Sequence, residues 1–149
     1  MIDTHAHLDA LDDDPADVLA RARGAGVTRV LTVGTTPAGC RRALELADAF
    51  DDVFAILGIH PHEAGTATEA EVAEVRELLA HPRAVAVGET GLDWFRDYAP
   101  PDAQKRLFAW QLDLAAELGK PVVIHTRAAD ADTLACLADF SGTVVLHCL

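Results

Sequence analysis

DAQKRLFAWQLDLAAELGKPVVIH, Asp102 to His125, holds one structural unit complete and in order. Asp102 to Leu118 predicts the longest helix of the chain, closed by Gly119 as its C′ residue with Pro121 beyond. The run that follows, PVVI from Pro121 to Ile124, is brief, β-branched and apolar on both faces. Such a run fits a parallel strand covered on both sides better than a half-exposed antiparallel one. It ends on a polar, metal-capable residue, His125.

The same unit recurs in both directions from this stretch. Further apolar runs are RVLTV (Arg29 to Val33), VFAILGI (Val53 to Ile59), AVAV (Ala84 to Val87) and TVVL (Thr143 to Leu146). Met1-Ile2 is too short to assign alone. Helix signals lie between the runs. Asp14 then Pro15 reads as an N-cap with proline at the first helical position, leading to Ala25. Thr36 then Pro37 repeats the device before Arg41 to Phe50, and Thr68 with Glu71 forms a capping box ahead of Val72 to Ala80. A shorter helix is expected from Ala129 to Ala138. Strand and helix alternate to the end, which implies an α/β fold with a parallel sheet. Doubly wound and barrel architectures both satisfy the pattern. No linker, repeat or low-complexity tract interrupts residues 1–149, so one domain is expected.

Bulk properties narrow the function. Half of the 149 residues are hydrophobic, enough for a sizeable core. No apolar run is long enough to span a membrane and no signal-peptide pattern opens the chain, so the cytoplasm is the expected compartment. The net charge of −12 does not attract nucleic acid, because phosphate binding usually rests on Lys and Arg. An acidic protein that holds a polyanion needs bound cations to do so. Cys40, Cys136 and Cys148 form no CxxC pair and are odd in number. They argue against a disulfide framework and against a cysteine-built zinc site, and are expected to be buried, inert thiols. Cys148 directly follows His147, so in a strand its side chain would face the other way.

Histidines mark one end of the inferred sheet. His5 and His7 follow the first strand in DTHAH, His60 and His62 follow the third in GIHPH, and His125 and His147 end the fifth and sixth. The fourth strand leads into Glu89 within GETGLD. In α/β sheets and barrels the carboxyl ends of the strands carry the active site. Residues i and i+2 of a strand share a face, so His5 and His7 could hold one metal ion together. Glu89 could bridge two ions, and His125 with His147 could hold the second. This donor set suits zinc, and its carboxylate also admits Mg²⁺ and Mn²⁺. His60 and His62 flank Pro61 in a turn-like segment, where one could simply cap the loop. His81 reads as an ordinary residue at a helix C-terminus. Arg127 could meet a phosphate or pair with an acid.

Taken together, DTHAHLD (Asp3 to Asp9), GIHPH (Gly58 to His62), GETGLDW (Gly88 to Trp94), PVVIHTR (Pro121 to Arg127) and LHC (Leu146 to Cys148) resemble, in content and order, the motifs of TatD-family hydrolases. That family belongs to the amidohydrolase-like metal-dependent hydrolases. The resemblance implies a TIM-type (β/α) barrel and two divalent cations, Zn, Mn or Mg. It implies His5 and His7 on the first cation, Glu89 as the bridge and catalytic carboxylate, and His125 and His147 on the second. It places His62 and Arg127 near the substrate phosphate. The implied activity is deoxyribonuclease, with 3′ exonuclease members in the family, acting through a metal-activated water on DNA and needing no obligate protein partner.

Two departures accompany the resemblance. Arg127 is followed by Ala128-Ala129 where the family commonly has Asp-Ala, and Asp130 is near but shifted. About six of eight strand–helix units are accounted for, so a partial barrel is expected, without the late Asp that completes the family's first cation site. Two other readings follow: a metal-dependent ester or amide hydrolase such as a D-aminoacyl-tRNA deacylase, or a barrel fragment with weak metal binding and little turnover. Trp94, Phe95 and Tyr98 could stack on bases or pack beneath the loop.

Overall fold

The computed structural model describes residues 1–147. Cys148, expected to face away from His147, lies outside the described residues. Strands and helices alternate throughout: β1 (Ile2–Ala6), α1 (Pro15–Gly24), β2 (Arg29–Gly34), α2 (Pro37–Ala49), β3 (Val53–Leu57), α3 (Glu69–Leu78), β4 (Ala84–Asp93), α4 (Pro101–Leu118), β5 (Val122–Arg127), α5 (Asp130–Leu137) and β6 (Val144–His147). Short 3-10 turns cover Leu8–Ala10 and Pro61–Glu63. The helix starts follow the sequence signals. Asp14 accepts from the Ala16 amide at 2.8 Å, Thr36 accepts from the Gly39 amide at 3.1 Å, and Thr68 with Glu71 completes its capping box. Gly119 closes α4 at φ 62°, a left-handed position that glycine occupies without strain.

All six strands are parallel and stand in the order β1-β2-β3-β4-β5-β6. A doubly wound sheet requires the order to reverse, and this one does not. The sheet also curls. In a flat sheet five steps of about 4.8 Å would hold β1 and β6 roughly 24 Å apart. Yet the rings of His5 on β1 and His147 on β6 stack with centroids 3.5 Å apart. The architecture is a partial (β/α) barrel.

Two cores result. Leu19, Leu44, Leu57, Val75, Phe108 and Ile124 belong to the larger one, which includes helix and strand side chains. Val33, Ile56, Ala86 and Val123, from four adjacent strands, form a small second cluster. Val123 and His125 share a face by strand alternation. The expectation of strands buried on both faces fails at the outer ones. Ile2 on β1 and Val144, Val145 and Leu146 on β6 are exposed, because each of these strands pairs on one side only among the described residues.

The largest correction concerns β4. It does not stop at Val87 but runs to Asp93, so Glu89 lies within the strand. Glycines disfavour strands, and the apolar run Ala84 to Val87 stops at Gly88. Here they permit close pairing instead. A Cβ on Gly91, at φ 137°, would stand 2.0 Å from the carbonyl oxygen of His125.

Helix α4 holds the ends of β3 and β4 in place through two buried glutamines one heptad apart. Gln111 accepts from the Ile59 amide at 2.8 Å and donates to the Ile59 carbonyl at 2.9 Å and to the Thr90 hydroxyl oxygen at 2.6 Å. Gln104 accepts from the Asp93 amide at 2.9 Å and donates to the Ala99 carbonyl at 2.9 Å. Replacing Gln111 by Leu keeps the volume and strands these buried groups. Leaving such groups unpaired costs about 1–3 kcal/mol each. Gln111→Leu should therefore lower the unfolding free energy by about 2–5 kcal/mol in urea titrations; an unchanged midpoint would contradict the clamp.

Candidate metal centre

Glu89 is the hub of a polar cluster at the carboxyl ends of the strands. Its residue is 4% exposed, and its two oxygens face imidazoles from both sides. Oε2 lies 3.3 Å from His5 Nε2 and 3.9 Å from His7 Nε2. Oε1 lies 3.0 Å from His125 Nδ1 and 3.9 Å from His60 Nε2. His147 completes a group with His5 and Glu89 whose candidate ligand atoms all lie within 4.8 Å of one another. Burial pushes the Glu89 carboxyl up, but hydrogen bonds from His125 and His5 and the neighbouring imidazoles outweigh it. The carboxyl is held well below the usual range and stays ionised.

Tautomers follow from the partners. His60 Nδ1 accepts from the His62 amide at 3.2 Å, so it caps the 3-10 turn, as its place beside Pro61 suggested. The proton of a neutral His60 then sits on Nε2 and faces Glu89. Burial, with the charge of His125, lowers the His60 pKa to about 4, so the ring is neutral at pH 7. His60 therefore offers Glu89 a donor, not a lone pair.

Beyond the hub stands a residue the sequence reading passed over. Asp93, the last residue of β4, is fully buried, and its Oδ2 lies 2.8 Å from His62 Nε2 and 3.0 Å from His125 Nε2. Its Oδ1 accepts from the amides of Phe95 and Arg96, both at 2.9 Å. Burial raises its pKa, but His62, the two amides and His125 lower it further, and it remains a carboxylate. His125, caught between Glu89 and Asp93, is disfavoured as a cation by burial yet pushed up overall by the two carboxylates. The signal for Asp93 was present in GETGLDW, but only the extension of β4 past Gly88 brings it to the site.

The residues singled out by sequence separate into two groups. His5, His7, Glu89, His125 and His147 converge. His62 stands beside them through Asp93 and packs edge-on against the exposed Tyr98, centroids 4.7 Å apart. Arg127 ends β5 outside the cluster, with its guanidinium 3.9 Å over the exposed Phe95 ring. Trp94 packs instead, donating from Nε1 to Asp132 at 3.1 Å. Asp130 accepts from the Thr126 hydroxyl at 3.0 Å and stands in for no cluster ligand. Ala128 adopts φ 55°, a left-handed conformation that Asp tolerates better than Ala. His81 lies just past α3, 3.5 Å from Asp48 and away from the cluster.

The donor set fits a cation. Ligands held about 2.0–2.1 Å from a tetrahedral ion stand roughly 3.3–3.4 Å apart. His5 Nε2 and His7 Nε2 are 3.3 Å apart, as are His5 Nε2 and Glu89 Oε2. His5 Nδ1 is buried with no hydrogen-bond partner among the described residues, so the ring is held from its Nε2 side.

The sequence profile of the family described as TatD related DNase matches residues 2–149. The chain belongs to that family. A TatD protein of Mycobacterium tuberculosis named as an uncharacterized metal-dependent hydrolase is 42% identical, with 99% of this chain and 60% of that protein covered. The TatD of Musicola paradisiaca, named as a 3'-5' ssDNA/RNA exonuclease, is 41% identical, with 92% and 53% covered. YJJV, a TatD homologue from Escherichia coli K12, superposes with a TM-score of 0.91 at 31% identity, over 100% of this chain and 60% of its own. The chain thus spans 53–60% of the length of these TatD relatives. As in YJJV, the strands belong to a TIM-type barrel.

Because the β4–β5 approach sets where His125 stands, Gly91→Ala should displace that ring. The variant is expected to lose stability and to bind Zn²⁺ more weakly in calorimetric titrations, and wild-type affinity in it would show that the close approach is dispensable.

Proposed function

We propose that this chain provides most of the catalytic centre of a metal-dependent phosphodiesterase acting on single-stranded nucleic acid, with DNA cleaved from its 3′ end. The observation that carries the reading is the convergence of five imidazoles on one ionised, buried Glu89 at the mouth of a (β/α) barrel. The name of the Musicola relative supports the substrate class.

In this reading His5, His7 and Glu89 would hold one divalent cation, and Glu89, His125 and His147 would hold a second. Bound there, such cations supply Lewis acidity and lower the pKa of a bound water toward neutrality. The chain's own residues do the rest. Glu89 keeps a negative charge in place because its pKa is held low, so it would serve as a cation ligand and not as a proton acceptor near neutral pH. His62, fixed by Asp93, and Arg127 flank the centre on the side where a phosphate arrives. Phe95 and Tyr98 offer exposed rings beside these two residues, where unstacked bases can lie. Cations, not a basic surface, then reconcile a net charge of −12 with a polyanionic substrate.

Two outcomes are expected. A 5′-labelled single-stranded oligonucleotide should be shortened in the presence of Mg²⁺ or Mn²⁺ and left intact in EDTA, and Glu89→Gln should lose more activity than the roughly 10–100-fold typical of outer partners of a metal site. Cleavage that persists in EDTA would sink the metal-dependent reading. Separately, base–aromatic stacking contributes about 1–3 kcal/mol per base. Phe95→Ala and Tyr98→Ala should each weaken oligonucleotide binding by about 5–100-fold in anisotropy titrations, with hydrolysis of a small phosphodiester unchanged. Equal loss on both substrates would mean that the rings support the fold.

A further inference from the structure

The geometry points to Asp93 as a positioning residue that sets which nitrogen of His125 is free to meet a cation. This inference deepens the cation-centre reading and rests on it. Asp93 is fully buried, and each of its oxygens is committed. Oδ1 is occupied by the backbone amides of Phe95 and Arg96, at 2.9 Å each. Gln104 fixes the Asp93 backbone from α4, accepting from its amide at 2.9 Å and donating to its carbonyl at 3.2 Å. The carboxylate therefore cannot rotate without losing several bonds at once. Oδ2 is left as a pure acceptor, 3.0 Å from His125 Nε2.

An ionised carboxylate cannot donate, so His125 must present Nε2–H to it. The opposite nitrogen, Nδ1, faces the ionised Glu89 Oε1 at 3.0 Å and donates to it in the cation-free protein, so a cation shared with Glu89 takes the place of the Nδ1 proton while Asp93 keeps the one on Nε2. A carboxylate behind a ligating imidazole fixes its tautomer and ring orientation in this way. The same Oδ2 holds His62 Nε2 at 2.8 Å, so one carboxylate sets the orientation of a ligand and of a substrate-side histidine together. Trp94, Phe95 and Arg96 follow Asp93 directly, so the residue also ties the aromatic loop to the centre.

Asp93→Asn tests the assignment because it is isosteric and inverts the polarity. Its amide oxygen can keep the bonds from Phe95 and Arg96, and its NH₂ then faces His125 Nε2. His125 would have to accept at Nε2 and carry its proton on Nδ1, directed at Glu89. Asp93→Ala removes the bias without inverting it. Long-range ¹H–¹⁵N spectra should show His125 of the wild type keeping Nε2–H when zinc displaces its Nδ1 proton, whereas in the Asn variant, zinc-free or not, Nε2 should carry no proton. Zinc affinity by calorimetry should fall about 10–100-fold in Asp93→Asn, and by less in Asp93→Ala. A residue that only supported the fold would give the opposite order, since Ala removes more bonds than Asn. An Nε2–H retained by His125 in the Asn variant, or a greater loss of affinity in the Ala variant, would overturn the inference. If the wild type bound no zinc, the cation-centre reading would fall, and the tautomer measurement would still decide the role of Asp93.

Discussion

A carboxylate removed from water must be compensated, and in this protein the compensation of Glu89 organises the mouth of the barrel. An unpaired charge in that position would be far too costly to keep. The chain answers with imidazoles from β1, the segment after β3, β5 and β6, so that the charge of one residue on β4 is shared by most of the sheet. That compensation is possible only because the sheet curls. Only a closed or closing surface aims the ends of widely separated strands at one point, and the stacked rings of His5 and His147 are the direct sign of it. The small second cluster, built around Val33, Ile56 and Val123, leaves the volume above it to polar side chains.

The site also depends on the opposite side of the sheet. α4 contributes Phe108 and Leu114 to the larger core while its Gln104 and Gln111 reach the backbone at Asp93 and Ile59. A helix that packs by apolar contact alone can slide by a fraction of an ångström, whereas paired amides fix its register against the strand ends. Preorganisation of this kind is what a multi-ligand centre needs, since the ligands must be in place before a cation arrives. Polar groups buried among apolar ones are therefore part of the site even though none of them faces it.

Much of this was legible along the chain. The apolar runs, the caps at Asp14, Thr36 and Thr68, and the C′ glycine at position 119 gave the alternating fold, because each rests on local rules of a few residues. His5, His7, His125 and His147 could be assigned to one end of the sheet because strand ends are recognisable. Asp93 could not, since it ends a part of β4 that lies beyond the apolar run Ala84 to Val87. Gln104 and Gln111 were invisible for a related reason: nothing in an amphipathic helix announces that a glutamine on its buried face has found a backbone partner across the sheet. Arg127 illustrates the converse. Its place in PVVIHTR left it open between meeting a phosphate and pairing with an acid, and its guanidinium stacks on Phe95 at the rim.

The order of residues dictates which side chains can share a face, where most strands and helices start, and that polar, metal-capable side chains fall at strand ends; all of these are properties of neighbours in the chain. It leaves open whether a strand–helix alternation winds once or doubles back, because that is a matter of which strands pair. Pairing between distant segments settled the sequential order, the curl and the meeting of His5 with His147. The same long-range geometry set the state of His125, whose two nitrogens are distinguished only by the carboxylates that folding brings to either side of it.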